Sequence, residues 1–409
     1  MDDNNNKQIR LYDETEKYIR LSVDETIGRS LNKWQGWKCS AGVRGLYIDY
    51  DGNIWRCNSA SSKINRFNYE GWEKLKFETL SKTPSSEWRD ILNFIALDYR
   101  KTKEAYKKVL ANTEENKKSY PGFIGNIYEE YDLPNSWFTC PWEICGCGAD
   151  ISIAKAKSTM HKTLLSIENN SWAGREETKM LLTKQIETPV AVETNYPLPF
   201  QILWDIGRRC NYDCSYCWTS VHNRVEEHKD IDLLIKTSDK IIDNWAKGET
   251  IRWAFGGGEP TLHPDFLTWL KYLKSKNQWT MITSNGTRDY KYWTKAANYL
   301  NSILLSAHFD GLQTEKEEDR FVKNVEIICK VFGQSIDDKW IEVKIMAPPN
   351  HFDRAVNLKN RLLDIDLLNK QGANGRITGT LSIVPIRSIG DSAELVSYTD
   401  SQLEIIRNQ

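Results

Sequence analysis

No stretch of this 409-residue chain approaches the roughly 20 consecutive apolar residues that cross a bilayer, so a membrane-spanning protein is not expected. The opening residues, Met1-Asp2-Asp3-Asn4-Asn5-Asn6, are acidic and polar and lack the basic and apolar regions of a secretory signal. A cytoplasmic location is therefore the expectation. Surplus positive charge is missing too: 55 Lys and Arg stand against 56 Asp and Glu, a formal net charge of −1. A nucleic-acid partner leaves a basic footprint, and none is expected here. The Lys-rich stretch from Lys101 to Lys118 is interleaved with acids and reads as a solvated helix. No internal repeat or low-complexity tract is present. What remains is a globular composition, 40% hydrophobic and 27% charged, with length enough for two cores.

Cysteine is the residue with something to say. In a reducing cytosol the nine cysteines are better metal ligands or buried thiols than disulfide partners. They are unevenly spread. Cys39 and Cys57 come first, then Cys140, Cys145 and Cys147, then Cys210, Cys214 and Cys217. Cys329 stands alone in a helical pattern and reads as a small core residue.

Three prolines, Pro189, Pro197 and Pro199, mark an extended joint. They divide the chain into an N-terminal region at 1–188, a connector at 189–200 and a second domain at 201–409. Beyond the joint, strand and helix alternate. Strands are expected at Gln201–Ile206, Thr250–Phe255, Trp279–Thr283, Ser302–Ser306, Ile341–Met346 and near Thr378–Val384. Helices are expected from Asp230 to Gly248, from Pro264, over Tyr290–Tyr299, over Glu315–Phe332 and through Leu358–Leu368. This alternation implies right-handed crossovers and an α/β fold, a partial (β/α)6 barrel of parallel strands. Ligands on such sheets sit at the carboxyl ends of the strands. The N-terminal region reads as a smaller α+β domain containing cysteines. It has a hairpin within 43–57, turning at Asp51-Gly52-Asn53, and a charged helical stretch over Ser85–Leu110.

The first strand of the second domain runs into Cys210-Asn211-Tyr212-Asp213-Cys214-Ser215-Tyr216-Cys217, a CxxxCxxC spacing. Three thiolates this close can hold three irons of a 4Fe–4S cubane. The fourth iron then stays open to a small molecule, as catalytic metal centres do. A zinc knuckle or chance spacing would show the same three cysteines. The second strand leads into Gly256-Gly257-Gly258-Glu259-Pro260, where glycines permit a close backbone approach and the carboxylate can accept from an ammonium. The third ends in Thr283-Ser284-Asn285-Gly286-Thr287 and the fourth in Ser306-Ala307-His308-Phe309-Asp310.

In this order, over roughly residues 200–386, these segments resemble the radical S-adenosylmethionine (radical SAM) superfamily. The resemblance implies that Cys210, Cys214 and Cys217 hold the cluster and that Tyr216 packs on the adenine. It further implies that Gly257, Gly258 and Glu259 meet the methionine end of the cofactor. Ser284 and Asn285 lie near it, and Ser306 and His308 reach the ribose or substrate, His308 as a local hydrogen-bonding residue. It implies an enzyme, with an external flavodoxin- or ferredoxin-like electron donor.

The Cys39–Cys57 segment, with Gly52 between them, is similar to the opening of the auxiliary-cluster domains called SPASM and twitch. Cys140, Cys145 and Cys147 would complete a four-thiolate site, whose geometry suits iron–sulfur or zinc. Two departures accompany this likeness: the cysteines precede the core, and the second group is more compact than the SPASM spacing. Five cysteines cannot fill two clusters, so one auxiliary 4Fe–4S cluster is expected, with structural zinc and unligated thiols as alternatives. Relatives with such domains modify peptides or proteins, while others act on small metabolites. A binding protein that keeps the cluster without turnover, or a zinc-stabilised interaction protein, is the rival class.

Overall fold

The computed structural model describes residues 8–12, 18–22, 26, 31–43, 45–58, 60–61, 122–141, 145, 155–157, 191–194, 200–214, 216–217, 224–334, 339–365, 379–386 and 398–407. The charged stretch 85–110 and Cys147 lie outside the described residues. The chain divides into two compact units. Described residues of the first fall within Met1–Ile64, Asn112–Leu203 and Thr237–Arg252, and those of the second within Trp204–Lys236 and Trp253–Gln409. Among the described residues no helix is long and apolar enough to cross a membrane.

In the first unit β1 (Gln8–Tyr12) and β2 (Tyr18–Ser22) form an antiparallel pair. They share a six-stranded sheet with β3 (Lys38–Cys39), β7 (Phe138–Thr139), β8 (Lys155–Ala156) and β9 (Ala191–Thr194), in the order β2-β1-β9-β8-β3-β7. Strand β9 falls inside the stretch expected to be a connector; it is extended and pairs with β1 and β8. Leu11, Ile19 and Leu21 pack with Trp34, Trp37 and Cys145 in one buried cluster.

The expected hairpin is present as β4 (Gly45–Ile48) and β5 (Asn53–Trp55), with β6 (Phe123–Asn126) antiparallel beside β5. Its turn is held by the buried Asp49 carboxylate. That group accepts from Asp51 N (2.9 Å), Asn53 N (3.0 Å), Asn53 Nδ2 (3.1 Å) and Trp55 Nε1 (2.9 Å). A short acid that captures backbone N–H groups two and four residues on makes a turn obligatory.

Strands and helices then alternate: β10 (Phe200–Asp205), α1 (Ile231–Lys240), β11 (Ile251–Gly256), α2 (Phe266–Ser275), β12 (Trp279–Ser284), α3 (Tyr290–Tyr299), β13 (Ser302–His308), α4 (Glu315–Phe332), β14 (Trp340–Ala347), α5 (Phe352–Leu363), β15 (Gly379–Pro385) and α6 (Asp400–Arg407). The order β15-β14-β13-β12-β11-β10 follows the chain, and the ladders from β12 to β15 are parallel. The sheet is an open α/β sheet of six β/α units rather than a closed barrel, as the alternating pattern predicts.

Local chemistry explains the boundaries. Asp230 accepts from Asp232 N and Leu233 N at the start of α1, and Asp289 caps α3 through Tyr292 N. Thr314 and Glu317 form a reciprocal capping box on α4. Two expectations shift. Helix α5 begins at Phe352 rather than near Leu358, after a tight turn opened by Pro349, and ends at Leu363. Helix α6 was not expected. Its entry is fixed by the Tyr398 hydroxyl, which donates to Ala347 O and accepts from Ile386 N, both at 2.7 Å.

Candidate metal centre

Strands β10 and β11 deliver two loops that are zipped together through their backbones. Ile206 N donates to Gly256 O (3.1 Å), Gly258 N to Gly207 O (2.8 Å) and Glu259 N to Arg209 O (2.8 Å). That contact explains the glycines. Gly257 has φ +119°, and a Cβ there would lie 2.3 Å from Gly207 O. A Cβ on Gly258 would lie 2.5 Å from both Arg208 O and Arg209 O. The close approach that the structure shows at these glycines is to the cysteine loop.

A methyl group at residue 258 meets backbone on both sides, which has no flexible end to swing away. Gly258→Ala is therefore expected to part the loops, destabilise the protein by about 1–3 kcal/mol and lower iron retention. Thermal melting and iron content after anaerobic reconstitution check this. A variant that melts and loads like the parent would show that the loops need no such approach.

Glu259 sits at the centre of the next layer and is buried. Its Oε1 accepts from Thr261 N (3.0 Å), the Thr261 hydroxyl (2.5 Å) and the Ser284 hydroxyl (2.8 Å). Its Oε2 accepts from Asn285 N (2.7 Å). Burial pushes the carboxyl above its ordinary range, and these donors offset part of that. Glu259 thus joins the loop after β11 to the loop after β12. Asn285 continues the chain of contacts, donating through Nδ2 to Asn211 Oδ1 (3.0 Å) and to Cys210 Sγ (3.9 Å). Thr287 bonds the side chains of both Asn285 and Asn211. The buried Asn324 of α4 donates to Gly286 O and Arg288 O, holding the turn from behind.

The three thiols occupy one supported loop. Cys210 Sγ accepts from Tyr212 N (3.4 Å), and Cys217 N donates to Cys214 O (3.0 Å). Asp213 pairs with Arg224, and the buried Arg208 pairs with Glu226 at 3.2 Å. Burial pushes the Cys210 thiol up to about 12 and Cys214 well above its ordinary value. A coordinated metal reverses that balance, since a ligating thiol is deprotonated outright.

Tyr216 and His308 face each other across the same site. The Tyr216 hydroxyl and His308 Nδ1 are 2.9 Å apart, and the rings are stacked with centroids 5.8 Å apart. Burial lowers His308 to about 4 and raises Tyr216. The hydroxyl donates to Nδ1 in one tautomer of the neutral ring and accepts from Nδ1–H in the other. Ser306 lies two residues earlier on β13, on the same strand face.

Cys329 is buried on α4, and the first unit carries the other described cysteines. Cys39, Cys57, Cys140 and Cys145 are all buried. Ala41 N donates to Cys39 Sγ at 3.5 Å, Cys140 N to Trp37 O, and Cys145 N to Asn32 O. Among the described residues no three His, Cys, Asp or Glu side chains gather as a site for one ion. The thiolates of a cubane each meet a different iron and need no such common point. In the second unit Cys214 is buried and Cys210 and Cys217 are half-buried, and three thiols on one loop are a donor set that fits iron–sulfur chemistry.

Residues 204–343 match the family described as Radical SAM superfamily, and they are a radical SAM domain. Fe-coproporphyrin III synthase of Methanosarcina barkeri is 25% identical over 122 residues, 30% of this chain and 30% of that protein. Mycofactocin maturase MftC of Mycobacterium ulcerans is 28% identical over 90 residues, 22% of this chain and 23% of that protein. The matched stretch thus spans less than a third of either curated relative. Among solved structures, Streptococcus suis SuiB bound to S-adenosylmethionine aligns with TM-score 0.35 and 15% identity, over 51% of this chain and 46% of that one.

Proposed function

We propose that the chain is a radical SAM enzyme. The observation that carries this reading is the backbone zipper between the cysteine loop and the Gly257-Gly258-Glu259 loop, which sets the triad beside the loops from β12 and β13. When bound, a reduced 4Fe–4S cluster with S-adenosylmethionine supplies a 5′-deoxyadenosyl radical, which abstracts hydrogen from a substrate. Cys210, Cys214 and Cys217 would hold that cluster through three thiolates. Tyr216 offers its ring to the adenine and is steadied by His308. Ser306 and Nε2 of His308 supply polar contacts to the ribose or substrate. Glu259 orients Ser284 and Asn285, and Asn285 donates to Cys210 Sγ.

The reading extends to an auxiliary 4Fe–4S cluster on four of Cys39, Cys57, Cys140, Cys145 and Cys147, supported by the burial of the four described thiols. In this division, residues 1–188 serve the auxiliary site, 189–200 connect, and 201–409 carry the SAM chemistry. A peptide or protein substrate is the adopted reading, favoured by the maturase among the relatives. A small metabolite is the second, favoured by the coproporphyrin synthase. A flavodoxin- or ferredoxin-like protein supplies the electron.

The test is anaerobic incubation of reconstituted protein with S-adenosylmethionine and dithionite, with 5′-deoxyadenosine read by mass spectrometry. Its formation is the expected result. Its absence from protein with a full iron complement would move the chain to the cluster-binding proteins without turnover.

A further inference from the structure

Strand β3 is only two residues long, yet it places Cys39 between two neighbours. Cys39 lies opposite Lys155 of β8 and opposite Phe138 of β7. Residues directly opposite in an antiparallel sheet project to the same face, so Lys155, Cys39 and Phe138 form one row. Both ends of that row carry a cation. Lys155 is 1% exposed, with its Nζ 4.4 Å from the centre of the Trp34 ring. At the other end the Arg56 guanidinium lies 5.1 Å from the Phe138 ring. Arg56 Nη1 donates to Ala41 O (3.2 Å) and Ser136 O (2.9 Å), and Ala41 N donates back to Cys39 Sγ.

The path of the arginine is built in. Gly42 has φ +89°, and a Cβ there would sit 2.8 Å from Arg56 Cγ, so glycine leaves room for the stem. Cys57 follows Arg56 directly in the chain.

A thiolate-ligated iron–sulfur centre is anionic and gains a further negative charge on reduction. Fixed cations beside it therefore stabilise the reduced form and raise its potential, which net charge and local hydrogen bonding are known to set. We infer that Arg56 and Lys155 set the reduction potential of an iron–sulfur centre built on Cys39. This rests on the auxiliary-cluster reading above and assigns residues that no cysteine pattern identifies.

The experiment uses the full chain with Cys210, Cys214 and Cys217 replaced by alanine, so that the N-terminal centre alone is observed. Iron content and an EPR-monitored potentiometric titration are measured for this parent and for its Lys155→Met and Arg56→Gln derivatives. Each derivative is expected to keep the parent's iron while its midpoint moves to lower potential, further in the double variant. Lys155→Arg, which keeps the charge, is expected to restore the parent midpoint. Unchanged midpoints, or an upward shift, overturn the inference. The auxiliary reading fails separately if Cys39→Ala with Cys57→Ala leaves the parent's iron in place. Should Lys155→Met not fold, Arg56→Gln at the less buried end carries the same test.

Discussion

With Cys210, Cys214 and Cys217 all replaced by alanine, incubation with S-adenosylmethionine and dithionite is expected to yield no 5′-deoxyadenosine. Iron is expected to fall by about four atoms per chain, one cubane. The protein should remain folded, because the loop that carries the triad is held by other groups. Its backbone is fixed by Ile206 N to Gly256 O, Gly258 N to Gly207 O and Glu259 N to Arg209 O. Its flank is fixed by the Asp213–Arg224 pair and by the Asn211–Thr287 bond. None of these uses a thiol. A melting curve close to the parent's, with cleavage abolished, separates loss of chemistry from loss of fold. Cleavage retained in the triple variant would refute the assignment of the triad.

The same loop shows what a sequence of this kind discloses. The six strands and the first five helices are legible because each is long enough to display its apolar period. The boundaries of α3 and α4 are legible because Asp289 and Thr314 are capping residues placed just ahead of apolar runs. Strands β3, β7 and β8 have two residues each, too few to carry a period of two. They exist because neighbouring strands position them. Helix α6 was missed although a capping box opens it, Gln402 N donating to the Thr399 hydroxyl and Thr399 N to Gln402 Oε1. Its eight residues are few for a helical period, and the fixing contact comes from Ala347 of β14 and from Ile386 just past β15.

The site divides along the same line. Cysteines, glycines and the Glu259 carboxylate stand out by residue type and spacing. Asn211, Thr261 and Thr287 are polar residues in loops, unremarkable until the fold brings Asn211 to Thr287 across 76 positions. The glycines were legible as a close approach, but the approached backbone was not, because Gly207 and Arg208 meet them only through strand pairing. Lys155 and Arg56 carry no local signal at all. Their place beside Cys39 is set by sheet register and by a stem passing over Gly42.

Glu259 offers the sharpest division between two accounts of one residue. The family resemblance points its carboxylate at the cofactor's ammonium; the structure commits it to four internal donors. Glu259→Ala strands two buried backbone N–H groups, of Thr261 and Asn285, and two hydroxyls that can rotate toward other acceptors. At about 1–3 kcal/mol per stranded donor, a total of about 2–6 kcal/mol is expected. Asn285 is then released, and with it the contact to Cys210 Sγ. Iron retention and cofactor affinity are therefore expected to fall together with the melting temperature. Glu259→Gln keeps the volume and one carbonyl oxygen, which can serve the Thr261 and Ser284 donors at the Oε1 position. Its amide NH2 then faces Asn285 N–H, donor against donor, at a cost of about 1–3 kcal/mol. The expected order in melting temperature and in bound iron is parent, then Gln, then Ala. A carboxylate devoted to the ammonium predicts a different pattern: Gln and Ala both lose cofactor affinity while iron and melting stay with the parent. Calorimetric titration with S-adenosylmethionine, beside iron content and melting on the same three proteins, decides which account holds.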